Sequence, residues 1–391
     1  LVRSTIARVD LNALKSNLAA IRTFLSGSAE ASASAASSRP PAIIAVVKAN
    51  AYGHGAPRVA LALEEAGATM LACADIEEGI VLRQAGVRVP ILVFGALSVS
   101  DLEGLFVCAL TPTISTPGAA RAVQAAAARH RATIAYHLKI DTGMNRLGFR
   151  HDNLRRTLPE LLASPNLRLD AVYTHFASAD DPESPVFNTQ RERFEDAWSV
   201  VQELSEARSP KPEGRVLRHA CNSAALLRDS RVWYDAVRPG LLLYGIVPPP
   251  LATTIELRPV MSLTSRVVAV KGLRPGEGVG YGWRYETREP RSIAIVPAGY
   301  ADGLDTRLCG RGQVLVRGRR VPIVGAVSMD MLAVDVTDLD EVRPGDEVVI
   351  LGRQGNERWQ QIDAREMAAA IGTIPWEIVC RLGTRVERLY D

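Results

Sequence analysis

The stretch AIIAVVKANAYGHG (42–55) opens with six small or branched apolar residues, meets a lysine at position 48, and then breaks into a turn of alanine, asparagine and glycine. A short apolar run bounded by turn residues reads as a strand buried on both faces, and such strands belong to parallel sheets covered by helices. Seven further runs follow the same design: TMLAC (69–73), PILVF (90–94), LTPTI (110–114), TIAYHLKI (133–140), LDAVYT (169–174), RVLRHA (215–220) and YDAVR (234–238). Amphipathic or alanine-rich stretches separate them, with readable helix ends. Asp75 and Glu78 form a capping box with Gly86 as the stop, and Thr116 followed by Pro117 opens TPGAARAVQAAAARH. Eight alternating units predict an α/β fold, a (β/α)8 TIM-type barrel over residues 1–250, with residues 1–10 a candidate strand joining the C-terminal domain.

Beyond residue 250 the texture changes. VMSLTSRVVAVKGL, RSIAIVPAGY, GQVLVRGRRVPIVGAVSMDMLAVDV and DEVVILG are separated by Gly, Pro and Asp turns, which predicts a mostly-β domain over 251–391. PPPLATT (248–254) reads as an extended connector between the two. SGSAEASASAASSRPP (26–41) is too small and polar to pack, and reads as a mobile surface loop before the first barrel strand.

A hydrophobic share of 47%, a charged share of 23% and a net charge of +3 describe an ordinary globular chain and give no support to a nucleic-acid partner. The longest apolar runs, such as LLLYGIV (241–247), are far too short to span a bilayer, so no membrane partner is expected. The five cysteines are scattered without C-x-x-C spacing, and LVRSTIARVDL lacks a long apolar stretch; reduced thiols in the cytoplasm are the expectation. Six histidines offer no dedicated metal pair, so no metal is expected.

In a (β/α)8 barrel the reactive side chains stand at the carboxyl ends of the strands, where eight loops converge on one mouth. Lys48 follows the first strand, Lys139 closes the fifth, His175 lies just past the sixth, His219 at the seventh and Arg238 at the eighth. Each alone is an ordinary surface charge; together they describe a pocket. A lysine there, desolvated and beside other cations, keeps a nucleophilic amine suited to a carbonyl cofactor.

VVKANAYGHG closely resembles the pyridoxal-phosphate lysine motif of the alanine racemase family. KIDTGMNRLGF (139–149), THFASAD (174–180), CNSAA (221–225), VRPGLLLYG (237–245), VGYG (279–282) and VGAVSMDML (324–332) match that family in order along nearly the whole chain. The resemblance implies pyridoxal 5'-phosphate as cofactor, carried by Lys48 as a Schiff base, with its phosphate contacted by Tyr52, Ser223, Gly240 and Leu241. It implies that Arg238 faces the pyridine nitrogen and that His219 hydrogen-bonds Arg238. Tyr281 resembles the second catalytic base, supplied by the partner subunit of a homodimer with shared active sites, and His175 the histidine that hydrogen-bonds it. Arg146 resembles the arginine that binds the alanine carboxylate, with Met329 and Asp330 contributed from the other subunit, and Lys139 a lysine that is carbamylated to orient Arg146. The implied reaction is interconversion of L- and D-alanine, supplying D-alanine for peptidoglycan.

One stretch departs from the family pattern. VCRLGTRVERLY (379–390) offers Thr384 where many members carry a tyrosine that narrows the entrance, which leaves room for a broader amino-acid range. A broad-specificity amino-acid racemase would share Lys48, Tyr281 and the fold. A non-catalytic pyridoxal-phosphate homeostasis protein would share the lysine and the barrel but need no β domain.

Overall fold

The computed structural model describes residues 4–31, 40–97, 101–207, 215–355 and 359–391. In chain order the strands of the first 250 residues are β1 (Ile6–Val9), β2 (Ala42–Val46), β3 (Met70–Cys73), β4 (Ile91–Val93), β5 (Thr111–Ile114), β6 (Ile134–Asp141), the short β7 (Phe149–Arg150), β8 (Leu167–Tyr173), β9 (Leu217–His219) and β10 (Ala236–Val237). All eight predicted runs are strands, each trimmed or shifted by one or two residues at most of its ends. Parallel pairing runs β5-β4-β3-β2-β10-β9-β8-β6, and Thr113 opposite His137 with Ile114 opposite Leu138 joins β5 to β6, which closes the ring. The result is a (β/α)8 barrel whose interior is filled by side chains such as Thr113, His137, Tyr173 and His219, which touch one another across the ring.

Local signals explain the helices. Thr116 caps the helix Pro117–Arg129 by accepting from the Ala119 N–H at 3.1 Å, with Pro117 in the first turn, where its missing N–H costs nothing. Two sequence expectations need correction. The loop expected from residue 26 begins later, because helix Leu11–Ala31 continues through its first residues; 32–39 lie outside the described residues. The prolines at 248–250 make a turn closed by the Leu251 N–H on the Pro248 carbonyl at 2.9 Å, rather than an extended connector, since proline favours tight turns as readily as extension.

The C-terminal part is mostly β. A ten-stranded sheet holds Met261–Arg266, Ala269–Leu273, Arg291–Val296, Gln313–Val316, Arg319–Val324, Leu332–Asp335, Glu347–Gln354, Gln360–Ile362 and Glu387–Tyr390, and Gly278–Val279 pairs separately with Tyr285–Glu286. Its tenth strand is β1, antiparallel to Met261–Arg266 and parallel to Glu387–Tyr390, with Ile6 opposite Glu387 and Val9 opposite Tyr390. Two glycines of the lysine motif mark where the two parts meet. A Cβ on Gly53 would lie 2.1 Å from the Val379 carbonyl oxygen, and one on Gly55 1.8 Å from the Tyr390 hydroxyl, so only glycine allows this approach.

Candidate active site

Lys48 leaves the mouth end of β2 into an unusual turn. Ala49, Asn50, Ala51 and Tyr52 have φ of 53°, 53°, 54° and 52°, followed by Gly53 at 80°. Four consecutive side-chain-bearing residues in the left-handed region cost on the order of 1–2 kcal/mol each, so the surroundings must hold them there. The Ala51 N–H donates to the Val47 carbonyl at 2.8 Å and the Ala56 N–H to Asn50 Oδ1 at 2.8 Å. His54 Nδ1 sits 3.0 and 2.9 Å from the carbonyls of Ala51 and Tyr52, both acceptors, so this nitrogen carries the proton. Glu78 receives the Ala49 N–H at 2.6 Å and the Ala74 N–H at 2.8 Å. The sequence suggested that Glu78 closes a capping box; Asp75 does cap the Glu78 N–H at 2.8 Å, but the Glu78 carboxylate reaches across to the lysine turn instead.

The mouth is crowded with cations. Burial first, then Arg146 and Arg238, lower the basicity of Lys48; burial, Arg146 and Arg238 bring Lys139 down to about 8. Lys139 is buried, its Nζ 5.7 Å from the Tyr173 ring centre. Arg238, fully enclosed and drawn down to about 10 by burial, still carries its charge at neutral pH. It donates to His219 Nδ1 at 2.7 Å, to the Thr174 carbonyl at 2.8 Å and the Ala220 carbonyl at 2.9 Å, and lies 3.4 Å from His175 Nδ1. Burial, reinforced by Arg238, Lys139, Lys48 and Arg146, holds His175 well below its usual range and therefore neutral. Arg146 is exposed and makes no side-chain hydrogen bond or ion pair among the described residues. Such a site is prepared for anionic ligands.

The N-terminal ends of two elements supply a cradle for one of them. Ser223 Oγ, at the start of helix Ser223–Arg228, accepts the N–H groups of Gly240 at 3.0 Å and Leu242 at 3.4 Å, leaving its own hydroxyl proton to donate outward. Leu241 begins the short 3₁₀ turn Leu241–Tyr244, and no protein acceptor takes its N–H among the described residues. Tyr52 closes the cradle: a Cβ on Gly240 would lie 2.3 Å from the Tyr52 hydroxyl. Hydroxyls and open N–H groups around a glycine are the means by which backbone binds phosphate.

The remaining expected residues lie elsewhere. Tyr281, 78% exposed, sits on the β domain after Gly278–Val279 and makes no hydrogen bond or ring contact with a barrel residue among those described. It lines an open hollow of about 410 Å³ with Ser328 and Met331, next in sequence to Met329 and Asp330, and Trp283, Tyr300, Met329 and Met331 are exposed as well. The Met329–Asp330 turn is fixed: its Met329 carbonyl receives the Ala301 N–H at 3.1 Å and Arg385 Nη2 at 3.1 Å, while Arg385 also reaches Asp330 at 2.9 Å and Asp302 at 2.8 Å. Within one chain the structure therefore gathers Lys48, Tyr52, Lys139, Arg146, His175, His219, Ser223, Arg238, Gly240 and Leu241, and leaves Tyr281, Met329 and Asp330 as a separate exposed group. Thr384 is exposed. Glu78, Arg385 and Asp302 escaped sequence reading; their partners are 29, 55 and 83 residues away, and only the fold brings them together. No group of His, Cys, Asp or Glu able to hold a metal occurs among the described residues, nor a helix long and apolar enough to cross a membrane.

Residues 9–248 match the family model of the alanine racemase N-terminal domain, and residues 260–390 that of the alanine racemase C-terminal domain. An alanine racemase of Symbiobacterium thermophilum is 40% identical over 390 residues, spanning 100% of this chain and 97% of that protein. The crystal structure of alanine racemase from D-cycloserine-producing Streptomyces lavendulae superposes with a TM-score of 0.90 at 35% identity, covering 100% of this chain and 98% of that one. That of Bacillus anthracis with bound L-Ala-P gives 0.86 at 35% identity, with 100% and 96% covered.

Proposed function

The chain belongs to the alanine racemase family, and on that premise we propose that it interconverts L- and D-alanine with two bases, Lys48 on one face of the substrate and Tyr281 of a partner subunit on the other. The observation that carries the reading is the lysine with suppressed basicity, set on a strained turn between a phosphate cradle and a donor-only arginine. Pyridoxal 5'-phosphate fits this arrangement and, when bound, supplies the electron sink that acidifies the Cα–H of the amino acid.

The chain's own residues do the rest. Lys48 holds the cofactor and, once its amine is free, takes or returns a proton at Cα. Tyr52, Ser223, Gly240 and Leu241 hold the phosphate. Arg238 can only donate, so a ring nitrogen facing it stays unprotonated, which weakens the sink and favours return of the proton to Cα over its delivery to another carbon. His219 orients Arg238. His175, kept neutral, is free to hydrogen-bond Tyr281 of the partner. Arg146 binds the substrate carboxylate, with Met329 and Asp330 of the partner completing that side.

The exposed face bearing Tyr281, Trp283, Met329 and Met331 supports a homodimer with shared sites. Five free cysteines support a cytoplasmic enzyme supplying D-alanine for peptidoglycan. The β domain, matched along its own length, speaks against a cofactor-homeostasis protein. L-Alanine incubated in deuterated water is expected to give D-alanine carrying deuterium at Cα. Comparable turnover of L-lysine or L-arginine would overturn the alanine assignment in favour of a broad-specificity racemase.

Two further outcomes follow from the site. In Gly240→Ala the new methyl collides with the Tyr52 hydroxyl, so spectroscopic titration should show cofactor binding weakened by about tenfold or more, since close backbone approach needs glycine. At pH 7 a Lys139 amine titrating at about 8 is roughly one-tenth neutral, and the neutral fraction rises with pH. Only the neutral amine takes up carbon dioxide, and a carbamate would turn the repulsion of Arg146 into attraction. Labelled bicarbonate should therefore give a carbamate carbon resonance that is absent in Lys139→Ala, and that variant should show a raised KM for alanine.

A further inference from the structure

Arg238 is an enclosed cation with no carboxylate beside it. Among the described residues its hydrogen-bonding partners are His219, His175 and the carbonyls of Thr174 and Ala220, with the Tyr173 ring against its face. A buried charge needs compensation, and carbonyl dipoles give only part of it. The hydrogen bonds continue away from the mouth. Because arginine has no acceptor, His219 Nδ1 must be bare and its proton must sit on Nε2. His219 Nε2 lies 2.9 Å from His137 Nδ1, which must then accept, so the His137 proton is on Nε2 as well. His137 Nε2 is buried without a hydrogen-bond partner among the described residues, and the nearest anion is the Asp170 carboxylate, Oδ2 at 3.9 Å.

Asp170 owes this position to an irregularity in the barrel wall. Across β6 and β8, Tyr136 is opposite Leu169 whereas His137 is opposite Ala171, which makes Asp170 one residue too many on its strand. A bulge of this kind re-aims a side chain at a small cost in pairing. The Asp170 side chain is 35% exposed, with Arg168 Nη1 3.0 Å from its other oxygen, so the line from Arg238 ends at solvent. Burial keeps both histidines neutral along the way, His137 down to about 4 and His219 well below its usual range. The Tyr173 ring, stacked on His219 at 4.7 Å and 5.1 Å from the Arg238 guanidinium, walls the line.

We propose that Asp170 is the remote counter-ion of Arg238, acting through His137 and His219, so that Asp170 and His137 are positioning residues that fix where the protons of this line sit. A carboxylate at its end polarises each imidazole towards Arg238, making His219 Nδ1 a better acceptor and holding the guanidinium cationic and in place. Removing the carboxylate loosens that hold and so admits more protonation at the wrong carbon. This last consequence rests on the racemase reading above; the proton positions do not.

Six histidines make the test practicable. Nitrogen-15 histidine spectra, assigned with His137→Gln, are expected to show both His137 and His219 as neutral Nε2–H tautomers. In Asp170→Asn the His137 Nε2–H resonance should move upfield, and Asp170→Glu should recover part of the shift. In the loaded enzyme Asp170→Asn should raise the fraction of turnovers that end in transamination about tenfold, the ratio worth one pKa unit between competing proton transfers. A proton on Nδ1 of either histidine, unaltered His137 resonances in Asp170→Asn, or an unaltered partition would each overturn the proposal. If the unmodified enzyme makes no D-alanine, the racemase reading falls while the spectra still judge the proton line.

Discussion

Lys48→Ala is expected to abolish both racemisation and Cα deuterium exchange, lowering the rate by at least ~10⁴-fold, since one substitution removes a proton-transfer group as well as the covalent attachment. The loss should be chemical rather than structural. The turn around Lys48 is held by the backbone N–H groups of Ala49, Ala51 and Ala56 and by the ring of His54, none of which involves the lysine amine. Removing a desolvated amine that faces Arg146 and Arg238 also relieves repulsion, so thermal stability should be equal or slightly higher. Partial restoration of exchange by small primary amines would locate the loss at the missing group. Retained exchange in the variant without added amine would show that Lys48 is not the base.

Tyr281→Ala should fail differently. If Lys48 is the remaining base it should still exchange the enantiomer whose Cα–H faces it, so deuterium should enter one enantiomer of alanine without inversion while inversion falls by roughly 10²–10⁴-fold, the range for loss of one acid–base group. Exposure of Tyr281 on a single chain gives a sharper form of the same expectation. Lys48→Ala and Tyr281→Ala should each lose racemisation, but if Tyr281 serves the partner's site a mixed dimer would carry one site with both defects and one site with neither. After dissociation and random reassociation of equal amounts, about a quarter of the wild-type activity should return, half the dimers being mixed and each holding one intact site. No recovery in a mixture shown by mass to contain mixed dimers would place Tyr281 in the site of its own chain.

Much of the barrel was legible because its strands are buried on both faces and so appear as unbroken apolar runs, each followed by a turn. Position alone then singled out Lys48, Lys139, His175, His219 and Arg238, since the carboxyl ends of such strands converge. Position could not have found Tyr281, whose surroundings in one chain are mostly solvent; motif resemblance supplied it. Glu78 shows a different limit. Its spacing from Asp75 fits a local cap, and nothing within four residues reveals that its carboxylate reaches across to the Ala49 N–H. The loop expected from residue 26 begins instead as the end of helix Leu11–Ala31, which runs on through Ser26 and Gly27 although neither favours a helix. His137 and Asp170 carried no motif at all, and a bulge in strand register is invisible in the residue pattern.

Strand β1 is paired with Met261–Arg266 on one side and Glu387–Tyr390 on the other. During synthesis its residues are made about 250 residues before Met261–Arg266 and about 380 before Glu387–Tyr390, so at ~5–20 residues per second the strand waits roughly twenty seconds to over a minute for its final partner. The barrel can take shape in that interval, yet the C-terminal sheet cannot be completed before Glu387–Tyr390 has been made. An apolar edge is left open for that time, a ready template for pairing with the wrong strand.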